Sequence, residues 1–153
     1  MAGATVCSGG ARSLQPRRGG AGTGEQGVSE PAQIHHAECV SLDAGHVLEL
    51  YRDLGPAGAE SVLARAMEEI VVRVAALSDF HRAGRWADVA RRAGTLRAIA
   101  EQVGMTTLAR VAGDVSRCAA RGDPASLGAT LARLDRTAHR SLAAMWDLQD
   151  FGN

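Results

Sequence analysis

Residues 86–118 read WADVARRAGTLRAIAEQVGMTTLARVAGDVSRC, and this stretch decides the fold. Trp86, Val89, Ala93, Leu96, Ala100 and Val103 recur at spacings of three and four, the period that lines one face of an α-helix. Gly104 interrupts the pattern, and Leu108, Val111, Ala112, Val115 and Cys118 resume it. Two amphipathic helices separated by so short a break fold back on one another and bury their apolar stripes together. Thr106 or Thr107 is placed to cap the second of them.

Working outward, the same period continues on both sides. A short helix is predicted over 43–54, stopped at Gly55, with Pro56 in the first turn of the next helix, where its missing N–H does no harm. That longer helix runs to His81 with Val62, Leu63, Ala66, Met67, Ile70, Val74 and Leu77 inward, and Gly84 ends it. On the other side Gly122 closes the helix after Cys118. Asp123 as N-cap and Pro124 in the first turn then open a last helix to Leu148, with Leu127, Leu131, Leu134, Ala138, Ser141 or Leu142, and Met145 inward. Four long helices joined by short loops predict an all-α, up-down-up-down antiparallel four-helix bundle with a short extra helix at its N-terminal end.

Composition agrees. Aromatic residues make up 3% of the 153, too few for an ordinary β-sandwich or barrel. The length suits one domain with a tail. Seventeen basic residues, all arginine, balance seventeen acidic ones, so the chain has no general field for nucleic acid or an acidic membrane surface. No apolar run has the length of a secretory signal or a membrane span. The three cysteines, Cys7, Cys39 and Cys118, are odd in number and lack paired spacing, which argues against a disulfide framework and for a reducing, cytoplasmic setting. Residues 1–40 are rich in glycine and carry no apolar period, so they read as a disordered tail ahead of a bundle over 41–150.

Within that bundle an ordered set of short motifs stands out. Leu42-Asp43 precedes the short helix and Asp53-Leu54-Gly55 ends it; Gly84-Arg85-Trp86 opens the helix that carries Ala93-Gly94-Thr95-Leu96-Arg97-Ala98; Gly104, Leu108-Ala109 and Arg121-Gly122-Asp123 follow. Over 42–148 the chain resembles the histidine-containing phosphotransfer (Hpt) domains, helical bundles that carry phosphoryl groups between receiver domains in two-component phosphorelays. Their signature, A-H-[ST]-L-K-G, is matched in frame except where the chemistry happens. Gly94 stands in place of the phosphoacceptor histidine, Arg97 in place of the lysine, and Ala98 in place of the glycine. Glycine has no imidazole with which to attack an aspartyl phosphate or to hold the phosphoryl group. Arg97 keeps the lysine's charge and adds a planar fork of donors. The resemblance therefore implies a docking surface without a phosphoacceptor: a non-catalytic, cytoplasmic signalling module, not an enzyme and without a cofactor, that binds a receiver domain or histidine kinase.

The helical wheel, counted separately, puts Ala87, Arg91, Gly94 and Ala98 on the outer face of that helix with Arg97 and Glu101 beside them. These six residues form the candidate partner-binding face. Glycine in an exposed helix interior costs about 1 kcal/mol relative to alanine. Either Gly94 is a relic of a lost histidine, or it admits the close approach of a partner backbone.

The remaining candidates have plainer readings. His35, His36, Glu38 and Cys39, with His46 beyond them, contain potential metal ligands but no second pair at zinc-site spacing, so no metal is assigned. His81 sits where a protonated ring would suit a helix C-terminus, and His139 flanks an inner stripe beside Asp135. Cys118 reads as a small core residue. No G-x-S-x-G, H-E-x-x-H or phosphate-cradling loop is present. Two further functions stay open on the sequence: an active phosphotransfer protein using another histidine, and a structural or dimerisation bundle. A monomer is favoured over a dimer.

Overall fold

The computed structural model describes residues 4–6 and 39–150. In chain order these form β1 (Ala4–Val6), β2 (Val40–Leu42), α1 (Ala44–Arg82), α2 (Trp86–Gln102), α3 (Thr106–Arg121) and α4 (Pro124–Asp150). The four helices make an all-α bundle around one core, in which α2 and α3 are the most closely packed pair and α1 and α4 complete the enclosure. Fully buried Leu63, Ile70 and Leu77 of α1 meet Val89 and Leu96 of α2, Leu108 and Val111 of α3, and Leu127, Leu134 and Met145 of α4. Truncating a leucine such as Leu96 or Leu108 to alanine removes packing worth about 2–5 kcal/mol.

The periodic reading located these faces well, with one correction. Val62 is 40% exposed. It lies one residue before Leu63, a turn of about 100° away from the centre of the stripe.

Helices α1 and the segment before it also follow the expected punctuation. The short helix and the long one are joined end to end as α1, and the break between them survives as a kink at Gly55, whose φ of 70° and ψ of 171° are not helical. That region of backbone space is open essentially to glycine alone. The N-terminus of α1 is capped by Asp43, whose side chain accepts from the His46 N–H at 3.2 Å. Asp123 caps α4 in the same manner, accepting from the N–H groups of Ala125 at 3.1 Å and Ser126 at 3.2 Å.

The threonines at the start of α3 behave differently from expectation. Met105 occupies the N-cap position and no side chain caps the helix. Thr106 and Thr107 instead clasp β2: the Ser41 N–H donates to Thr107 Oγ1 at 2.8 Å, and the Thr106 hydroxyl donates to the Ser41 carbonyl at 2.9 Å. The neighbouring Asp43 N–H donates to the Gly104 carbonyl at 2.8 Å. Gly104 has a φ of 74°, and a Cβ placed on it would lie 3.0 Å from the Asp43 carbonyl oxygen, so the α2–α3 turn admits only glycine at this contact.

This clasp extends the folded unit beyond the expected boundary at residue 41. Val40 and Leu42 are buried in the core, and β2 pairs antiparallel with β1, within the segment read from sequence as a disordered tail. The rest of that segment lies outside the described residues. A second correction concerns the cysteines. Cys39 is disulfide-bonded, whereas Cys118 is a free thiol. An odd count rules out the pairing of every cysteine, but it leaves room for one bridge.

Candidate functional site

Helix α2 holds the candidate face because its inner stripe is fixed by Val89, Ala93, Leu96 and Ala100, all with no exposed surface. Residues offset from that stripe must point outward. Accordingly Ala87, Arg91, Arg97, Ala98 and Glu101 are exposed, and Gly94 is half-buried in their midst. A Cβ built on Gly94 would meet nothing within 4 Å, so the backbone there is open to solvent on its outer side. All six residues are thus brought together on one helix surface.

Their charges are already engaged with one another. Arg97 Nε donates to Glu101 Oε1 at 2.8 Å across one turn. Arg91 pairs with Asp88, which also receives Arg85 at 2.6 Å. Exposed pairs of this kind contribute little to stability and exchange readily for other partners. They set the direction of the guanidinium groups along the face.

Sequence reasoning overlooked the neighbouring helix. Between α2 and α3 lies a groove of about 340 Å³, lined by Arg97 and Glu101 of α2 and by Thr106, Ala109, Arg110, Gly113 and Arg117 of α3. A side chain on Gly113 would touch the Arg97 stem at 3.5 Å, so this glycine makes the bed on which Arg97 lies. Arg117 pairs with Asp114 one turn before it. The signal was present in the spacing of Arg110, Gly113 and Arg117 along one stripe, but a search for apolar period passes over an arginine and glycine stripe. Only the packing of α2 on α3 puts that stripe against Arg97.

The described histidines serve other purposes. His46 Nε2 donates to the Gln102 carbonyl at 2.7 Å, tying the first turn of α1 to the last turn of α2. His81 lies in the last turn of α1 as expected, yet its Nδ1 is buried with no hydrogen-bond partner among the described residues, and Nε2 lies near Gly128 of α4. It packs against a neighbouring helix and donates to no terminal carbonyl of its own. His139 is exposed on α4 with Nδ1 at 2.9 Å from the Asp135 carbonyl. None of the three belongs to α2. His35 and His36 lie outside the described residues, and the bonded sulfur of Cys39 is no thiolate ligand. Among the described residues no group of three or more His, Cys, Asp or Glu is gathered to hold a metal ion, and no helix is long and apolar enough to cross a membrane.

Fold and face together define a small helical bundle with an open, arginine-flanked strip of small residues on one helix. No family model matches the chain, and no curated protein or solved structure matches it.

Proposed function

We propose that this protein is a non-catalytic, Hpt-like signalling module that binds a receiver domain or a histidine kinase of a two-component phosphorelay without carrying phosphate. The observation that carries the reading is Gly94. It occupies the in-frame phosphoacceptor position of the motif, on the outer face of α2, with open space where a side chain would stand and with Arg97 one turn along. A helix that gives up side-chain contacts at an outward position, at a cost of about 1 kcal/mol against alanine, is suited to the close approach of another backbone.

In this reading the four helices run up-down-up-down, as their short connections favour. The protein works as a cytoplasmic monomer, needs no cofactor and performs no phosphotransfer, because no imidazole stands beside Arg97 to accept a phosphoryl group. The partner's loop lies along Ala87, Gly94 and Ala98, and its acidic groups exchange with Asp88 and Glu101 for Arg91 and Arg97. A pull-down against the host's receiver domains and histidine kinases tests this directly. The expected result is capture of one such domain and no acid-labile label on the protein after incubation with phosphorylated receiver. Labelling of any histidine in the chain, or failure of every receiver and kinase to bind, would overturn the proposal.

A further inference from the structure

We propose that the groove between α2 and α3 binds a compact phosphate monoester, with the phosphoryl group held over Gly113 by Arg97 and Arg117. This does not depend on the docking role. Three arginines, Arg97, Arg110 and Arg117, line the groove against one carboxylate, that of Glu101. Two of them converge on one point: a Cβ built on Gly113 would lie 3.8 Å from Arg97 Nη1 and 3.6 Å from Arg117 Nη1. Each reaches its carboxylate through a different nitrogen, Arg97 through Nε to Glu101 and Arg117 through Nη2 to Asp114. The Nη1 groups therefore meet over the glycine, where no side chain separates them. Asp114 is itself divided, since Arg133 Nη1 stands 3.6 Å from its other oxygen.

Two guanidinium groups facing the same point repel each other, and an anion placed between them replaces that repulsion with attraction. The several oxygens of a phosphate accept from both at once, at charge-assisted N–O distances of about 2.7–2.9 Å, and the planar forks match a phosphate edge. Gly113 is buried and has no Cβ, so the anion rests directly on the helix surface. The groove of about 340 Å³ lies at the small end of ligand sites, which run from about 300 to 1,000 Å³. Ala109 is the one apolar side chain in its lining and no aromatic ring lines it, so a nucleotide base has no platform on which to stack. Toward the start of α3, Glu101 and Thr106 offer a carboxylate and a hydroxyl to the hydroxyl groups of the ligand. This chemistry fits a phosphorylated polyol or small sugar.

Glycerol phosphate is the probe, titrated into the isotope-labelled full chain at constant ionic strength, with glycerol, potassium chloride and dimethyl phosphate as controls. Saturable NMR shifts are expected at Arg97, Gly113 and Arg117 with glycerol phosphate. Dimethyl phosphate, which carries a single charge, should bind more weakly, and glycerol and chloride should move nothing there. Arg117→Gln should weaken binding about tenfold, the scale of one charge-assisted hydrogen bond. Gly113→Ala, whose methyl group would sit in ordinary contact with both arginines, should weaken it too while the circular dichroism stays unchanged. Arg136→Gln, exposed on α4 and outside the groove, should bind as the wild type does. Shifts that never saturate, a response to dimethyl phosphate as strong as that to glycerol phosphate, or wild-type affinity in Arg117→Gln and Gly113→Ala would overturn the proposal. Arg117 and Gly113 lie off the face assigned to the receiver or kinase, so loss of the phosphate site in these variants leaves the docking prediction standing.

Discussion

Gly94 and Asp123 show how far single residues bear on this fold. An alanine at Gly94 would lose no contact and would restrict the unfolded backbone, since the site is helical and has room for a Cβ. Gly94→Ala should therefore stabilise the bundle by about 0.5–1 kcal/mol in urea unfolding. A destabilised variant would mean that the backbone at this point is not the open helix described. Asp123 provides the pH-dependent case. The Ser126 hydroxyl, the Ser126 N–H and the Ala125 N–H all donate to its carboxylate and hold it below its ordinary value of 3.8. Its folded value is the lower one, so the unfolded chain binds the extra proton as the medium is acidified. The stabilisation is thus complete above about pH 4 and is lost as the pH falls through the folded value. In Asp123→Asn, which keeps a capping oxygen but no titrating group, the acid limb of thermal midpoint against pH should be flatter than in wild type. Parallel limbs would show that this carboxylate is not held by its cap.

At the scale of elements, the kink in α1 and the clasp on β2 are the features most open to test. Gly55 holds a conformation that an L-residue adopts only with strain, and nothing lies within 4 Å to clash, so Gly55→Ala isolates the backbone cost. The expected loss is about 1–3 kcal/mol. A neutral substitution would indicate that α1 straightens through residue 55. In the clasp, Thr107 is buried and accepts from Ser41. Thr107→Val keeps the shape and orphans that N–H, which should cost about 1–3 kcal/mol and increase hydrogen exchange at residue 41. Unchanged exchange there would place the anchor of β2 elsewhere. Neither Thr106 nor Thr107 could be recognised as a strand clasp from spacing, because a hydroxyl before a helix is equally suited to a cap. The choice depends on whether another chain segment arrives with two unpaired backbone groups, and Ser41 arrives from 65 positions away from Thr106.

For the whole molecule, the proposed face is separable from the core that supports it. Ala98→Trp adds bulk on an exposed position and should change stability by no more than about 0.5 kcal/mol. It should also abolish capture of the receiver or kinase. Arg97→Glu, which reverses a rim charge, should mainly slow association and invert its salt dependence. Full affinity in Ala98→Trp, with the helix content intact by circular dichroism, would leave Gly94 as a relic on an idle surface.

The inner faces of the helices were determined by the sequence by itself, at 63, 67, 70, 74 and 77 of α1 as at 89, 93, 96 and 100 of α2. So were the outward positions of Arg91, Gly94 and Ala98, because a 3.6-residue period is a local property that needs no knowledge of neighbours. The groove beside Arg97, the ring of His81 packed near Gly128, the clasp on Ser41 and the pairing of β1 with β2 were decided only in the tertiary structure. Each joins residues far apart in the chain through a contact whose energy depends on which elements meet, and a polar or glycine position carries no period from which that meeting could be read.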